Sequence, residues 1–463
     1  MEIHPSNSRL RTIVAVALRD PRPLAGHLNG LCAEGKISDS FQREWEGGVY
    51  RLGGDWLCGA AFELINSDGS PCLRQFELAR GDGWNALPFE GITFAPLSRG
   101  RVGPETPTAV TVYRAGIVQT SSPVALIWLE WGLESTDPAR WLEFAAALRQ
   151  MLPAGARDEY HRHFRLPQET ACTATWLIGT VRDYLLGPAA AELAWSARDV
   201  TLCARLKLIT SDPAEAGPLA AALLHDEKAS DVLASERVDP NRADIRTSWS
   251  AAGIVVFLLQ PPGARTEKGA QAFTNAFNLT DLWLAQIVPL LQRQILSRLE
   301  HEVTALVSQL HQVRAGLMRP HALRALIGAR KRYERVLDAF MESYWRYGLI
   351  QLHTHGRRHG VYLGLREALR LPESASDFEN KLETLGTYLG EKQKTLLGYF
   401  LVYVPFLSLV VGVLGVNVRG YTSSDGLTLP ELGLVVGLVS AGYLILIVAA
   451  VVLIQRRAGR ARD

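Results

Sequence analysis

The chain has 463 residues, too many for one small core, so two or three structural units are expected. A formal net charge of +2, with no basic-aromatic tract, speaks against a general nucleic-acid binder. The five cysteines, Cys32, Cys58, Cys72, Cys172 and Cys203, are scattered without a CxxC pair, which fits a reduced compartment and speaks against a disulfide framework or a zinc ribbon.

The opening stretch MEIHPSNSRLRTIVAVALRD holds only a short apolar run between Arg and Asp, which reads as a buried first strand and not as a secretion signal. Residues 1–262 have the mixed pattern of a cytosolic α/β domain. Residues 108–118 and 123–132 are rich in β-branched and aromatic side chains and predict strands, with Trp128 and Trp131 as core and rim residues. GDGWN at 81–85 reads as a turn, since no phosphate-loop pattern follows a strand there. A helix follows from Asp137, placed to cap it, with Pro138 at the first helical position. Strands are expected at 199–210 and 252–260, separated by an Ala-rich helical stretch near 218–233. Residues 261–269 look like a linker.

Strand signals then stop. Residues 270–372 form a helical segment, one helix over 277–317 and one or two more up to Pro372. Ser376 opens a new helix by its Ser-x-x-Glu spacing to Glu379, a capping box. Along it Phe378, Leu382, Leu385, Leu389, Leu396, Tyr399, Tyr403, Phe406, Val410 and Val413 step by threes and fours, with Lys392 out of place. They form one packing seam on a helix of about 35 residues. The opposite face runs through Thr387, Gly390, Lys394, Leu397, Leu401 and Val404 to Ser408. Such a face suits either a bundle around water or bulk cytosol.

Residues 396–414 and 432–454 are two uncharged apolar runs. A bilayer core of ~30 Å needs about 20 such residues, so both are expected to span. Lys392 and Lys394 precede the first, while Arg456, Arg457, Arg460 and Arg462 follow the second in a basic tail, 455–463. The positive-inside rule then places both chain ends in the cytosol and the short loop outside. Pro405 can kink the first span without ending it. Gly433, Gly437 and Ala441 offer the second span a small-residue packing face.

Gly412-Val-Leu-Gly415-Val416-Asn417 has the form G-x-x-G-x-N and closes the first span ahead of a short outward loop, 415–431. With this placement the chain resembles the CorA superfamily of divalent metal ion transporters, whose hallmark there is Gly-Met-Asn. The Gly-Val-Asn found here is closer to the ZntB-like branch, associated with zinc. The resemblance implies a funnel-shaped homopentamer in a bacterial inner membrane, multi-pass, with long stalk helices (376–414) that continue into the pore. Asn417 would ring the outer mouth and capture a hydrated ion, Mg²⁺ or Zn²⁺, through its outer shell, with Gly415 allowing the backbone turn that presents it and Gly412 close helix approach. Ser408, Val404, Leu401, Leu397 and Lys394 would line the path, the apolar ones as gate, and Arg456, Arg457 and Arg460 would form a collar below. The sequence departs from the pattern at Val416 and in carrying Arg419 two residues past the Asn.

Two histidine clusters remain, His353, His355 and His359 in HTHGRRHG, and His161 with His163. They fit zinc ligands or, with Arg357 and Arg358 adjacent, a solvated basic patch. No nucleophile elbow, His-Glu-x-x-His or deaminase-type Cys/His set is present, so no enzymatic chemistry and no resident cofactor are expected. The expected function is divalent cation transport. The alternative is a membrane-anchored, ligand-gated or non-conducting signalling assembly with the α/β domain as sensor.

Overall fold

The computed structural model describes residues 1–18, 21–39, 73–95, 106–120, 123–149, 163–167, 171–187, 200–224, 237–239, 242–262, 282–314, 320–341 and 356–420, with Gly437 and Gly442 besides. Over parts of the helices, including 409–420, it describes the backbone alone. The described chain divides into two units, each taken by itself. One holds Met1–Ala305 and Glu334–Phe378, the other Leu306–Tyr333 and Glu379–Asp463.

In the first unit, β1 (Glu2–Ile3), β2 (Arg9–Ala17), α1 (Pro21–Ala33), β3 (Ile37–Asp39), β4 (Leu73–Leu78), α2 (Asp82–Asn85) and β5 (Thr93–Phe94) come first. The long strands β6 (Thr108–Thr120) and β7 (Val124–Leu133) follow, then α3 (Pro138–Arg149), β8 (Phe164–Arg165), β9 (Ala171–Cys172), α4 (Ala174–Leu186), β10 (Val200–Ile209) and α5 (Ala216–Leu224). The strands close with β11 (Arg237–Asp239), β12 (Arg242–Ser250) and β13 (Gly253–Gln260). They form one sheet in the order β11-β12-β13-β10-β2-β7-β6-β5-β8-β9, with β1 on β10 and with β4 pairing both β3 and β6. All pairs are antiparallel except β10 with β13, whose crossover includes α5. The cap expected at Asp137 is present: its Oδ1 accepts from Ala139 N at 2.9 Å. Residues 81–85, expected as a turn, include the short helix α2 instead.

Side chains alternate across each strand, so the sheet has two unlike faces. Leu10, Val14, Val16, Ala125, Ile127, Leu129, Trp131, Ile117, Leu202, Ala204 and Leu206 line the first, in a continuous apolar core with Leu24 and Leu28 of α1, Trp141 and Phe144 of α3, Leu177 and Val181 of α4 and Leu219 and Leu223 of α5. Trp131 donates from Nε1 to Thr12 Oγ1 at 3.0 Å, so its polar edge is satisfied inside that core.

Across the second face lies the first part of α6 (Leu282–Arg314). At its start Trp283 Nε1 donates to Gln75 Oε1 at 2.5 Å, and its ring meets Trp128 edge-on at 5.8 Å between centroids. Four turns on, Arg298 donates to the carbonyls of Leu18 and Pro123, where β2 ends and β7 begins. Trp128, expected with Trp131 as core and rim, is fully buried on this face; neither is at a rim. The face has room for it because β6 carries Gly116 opposite, where an added Cβ would fall 2.8 Å from the indole.

Next come α7 (Pro320–Ala339), α8 (Gly356–Ala368) and α9 (Leu371–Gly420). Within the second unit, α7 and α9 meet where Gly386 admits Tyr333; a Cβ at 386 would lie 2.5 Å from the phenol oxygen. Two expected boundaries of the last helix differ. Pro372 opens α9, since a first-turn proline loses no helical hydrogen bond. The break before it is Arg370, at φ +51° in the left-handed region, and Ser376 and Glu379 lie inside the helix. The outward loop was expected to begin at 415, but α9 runs unbroken through Gly420, so Gly415, Val416 and Asn417 are helical. Two glycines cost a helix only about 1 kcal/mol each, and no proline follows Pro405 within it.

Candidate functional site

Of the seam expected on the last helix, Phe378, Leu382, Leu385 and Leu389 are buried, and the seam side chains from Leu396 onward lie outside the described residues. Lys392, which interrupts it, sets its ammonium 5.4 Å from the Tyr388 ring. The opposite face is partly exposed where it is described. Thr387 and Lys394 are exposed, Gly390, Leu397 and Ser408 are half-buried, and Leu401 is 44% exposed. Spacings of three and four bring Lys394, Leu397, Leu401 and Ser408 onto one line with the backbone position of Val404 between the last two. Asn417 stands nine residues beyond Ser408, two and a half turns, so a helix unbroken to Gly420 sets the two positions on opposite sides. Gly412 and Gly415 share Ser408's side by the same count.

Among the residues searched, no helix is long and apolar enough to cross a membrane. Residues 396–414 lie within α9, where side chains are described only in part, and 432–454 lie outside the described residues except Gly437 and Gly442. Gly437 is exposed, and a Cβ there would meet no described atom within 4 Å. Gly433, Arg456, Arg457, Arg460, His353, His355 and His161 lie outside the described residues. His359 is half-buried in α8, its ring 6.1 Å from Tyr362, and His163 is 6.3 Å from Phe94. Among the described residues no group of three His, Cys, Asp or Glu is placed to hold a metal ion.

A second constellation was not singled out in the sequence. On the sheet face that meets α6, Glu130 of β7 accepts from Arg11 Nη2 of β2 at 2.6 Å and lies 3.9 Å from Arg9. One strand over, Arg114 of β6 grips Glu77 of β4 through two hydrogen bonds of 2.6 and 2.5 Å, a fork on a carboxylate. A bulge after Val112 turns Arg114 opposite Glu130. Aromatic rings wall the ions: Arg11 lies 4.4 Å from Trp283 and 4.9 Å from Trp128, and Arg9 stacks 3.4 Å from Tyr113. The Tyr113 ring in turn lies over Gly132, where a Cβ would approach it to 2.4 Å. Arg205 of β10 completes the layer, opposite Arg9 in register.

The electrostatics follow from burial. Desolvation alone would raise the Glu130 carboxyl, but Arg11, Arg205 and Arg114 outweigh it and hold it at about 2. Arg205 is pushed down to about 10, first by burial; Glu130 opposes this, while Arg9, Arg11 and Arg114 add to it. Cys203, on the same face, is pushed up to about 12 by burial, so its thiol is no nucleophile at neutral pH. The signal for this layer was present in RLR, IWLEW and CARLK, where one or two charges interrupt strands otherwise apolar enough to be central.

Compared with family models, with curated proteins and with solved structures, the chain gives no match.

Proposed function

We propose that this chain transports divalent metal cations across a bacterial inner membrane, as one subunit of a homopentameric pore with both ends in the cytosol. The observation that carries the reading is α9, a single helix from Leu371 to Gly420 that buries Phe378, Leu382, Leu385 and Leu389 and leaves Thr387, Lys394 and Leu401 of its other face exposed. A helix of that kind can give its free face to a shared axis. The uncharged run 396–414 along its second half and Gly-Val-Asn near its end add the sequence resemblance.

In this reading Lys394, Leu397, Leu401, Val404 and Ser408 line the path, and the leucines close it by shedding water. Asn417 presents a neutral amide oxygen to the hydrated ion, Mg²⁺ or Zn²⁺, since Mg²⁺ gives up its water reluctantly. Opening of the last turn beyond Gly415 brings Asn417 round from the side opposite Ser408. The test is flux: the full chain reconstituted in liposomes, with dye-reported uptake of Mg²⁺, Zn²⁺, Co²⁺ and Ni²⁺. Flux is expected for the parent and a loss of tenfold or more for Asn417→Ala with assembly intact. Equal flux in both would refute the assigned role of Asn417, and no flux from an intact pentamer would refute transport.

One observation favours a second reading, a membrane-anchored sensor. A buried charge cluster lies in the α/β unit, on Arg9, Arg11, Glu130 and Arg205. On that reading an unrelated two-span hairpin in place of residues 396–454 leaves function intact.

A further inference from the structure

Lys394 is the last charge before a long neutral stretch: residues 395–418 hold no Asp, Glu, Lys or Arg. Its side chain is exposed, and among the described residues no acid pairs with it; Glu391, one turn earlier, is exposed as well. Lys392 differs, since it sets its ammonium 5.4 Å from the Tyr388 ring. Three and seven residues past Lys394, Leu397 is half-buried and Leu401 is 44% exposed. The line that carries the lysine therefore turns apolar within about 5–10 Å along the helix axis. Before Lys394 the same side is small and neutral: Thr387 is exposed, and a Cβ at Gly390 would meet no described atom within 4 Å. One ammonium thus stands at the border between a polar stretch and an apolar one. A charge beside apolar walls is screened less by water, so its field reaches further along the line.

We propose that Lys394 is an electrostatic brake on divalent cations: in the assembled pore its five copies form a positive ring at the inner border of the apolar stretch, and each ion has to cross it. This rests on the transport reading and deepens it, since Asn417 captures the ion and Lys394 governs how fast it passes. Repulsion scales with the charge of the ion, so a divalent cation meets twice the barrier of a monovalent one. No acid in residues 395–418 offsets the ring on the way to Asn417. Because the ammoniums are exposed, salt reaches them, and the barrier shrinks as the Debye length falls from about 30 Å at 0.01 M to about 8 Å at 0.15 M.

The test compares the full chain with Lys394→Gln and Lys394→Arg in liposomes, by dye-reported Mg²⁺ uptake in choline chloride from about 0.01 to about 0.15 M. At the low end Lys394→Gln is expected to carry Mg²⁺ roughly tenfold faster than the parent, and the ratio is expected to fall towards one as salt rises. Lys394→Arg restores the charge and is expected to bring back slow uptake that salt relieves. Should Lys394→Gln fail to assemble, Lys394→Thr takes its place at this exposed position. Parent flux with a ratio of one at every salt concentration overturns the role of Lys394 and leaves transport standing. A ratio above one that does not move with salt overturns it too, because it reports a change in width and not in charge. No flux from the intact parent refutes transport, and this role with it.

Discussion

Protonation of Glu130 takes away the carboxylate that Arg11 binds directly and that Arg9 and Arg205 face. Its folded value of about 2 lies below the ordinary 4.5, so its contribution is complete above about pH 4.5 and is lost as the pH falls towards 2. Glu130→Gln leaves the arginines with their charge and without this partner. At neutral pH it is expected to destabilise the α/β unit by about 3–5 kcal/mol, the cost of breaking a buried pair on one side. Urea denaturation followed by tryptophan fluorescence reads the loss. The same variant should also show a flatter dependence of stability on acid between pH 4.5 and 2. An unchanged acid profile would mean that Glu130 is not the group titrating there.

At the scale of elements, α6 is hydrogen-bonded to the sheet side among the described residues through Trp283 on Gln75 and Arg298 on the carbonyls of Leu18 and Pro123. Arg298→Met keeps an unbranched stem and drops the bonds to both carbonyls together with the one to Glu302. It is expected to cost about 1–3 kcal/mol, seen as a lower urea midpoint with an unchanged slope; a changed slope would show that α6 itself had come loose. The strands of this unit were legible because runs such as TAVTVYRAGIV and AGIVVFLLQ allow little but a buried strand. The start of α9 was not legible. Ser376 and Glu379 satisfy the capping-box spacing, and only tertiary context selects Arg370, in a left-handed conformation, as the break. The ion layer was hidden for another reason. Arg11 and Glu130 are 119 positions apart, and alternation shows that each faces one side of a strand but not that they share a face. The face of α9 from Lys394 to Ser408 was readable as a line of positions, whereas how far the helix runs past Gly415 depends on backbone energies too small for sequence to fix.

For the whole molecule the transport reading makes a statement about number and sidedness. Glutaraldehyde cross-linking of the purified chain is expected to give a ladder that stops at five copies. A protease added to right-side-out vesicles should leave both ends intact, and the same protease added to inverted vesicles should remove them. A ladder that stops at two, or an end cut from outside, would refute the pentamer or the topology respectively. The length of α9 has a mechanical consequence. Fifty residues at 1.5 Å make a rod of about 75 Å. If its near end is pivoted by about 5°, the far end sweeps some 6–7 Å, more than the width of a water molecule. Pro405, where the ladder of hydrogen bonds lacks a rung, is the point at which such a lever gives first.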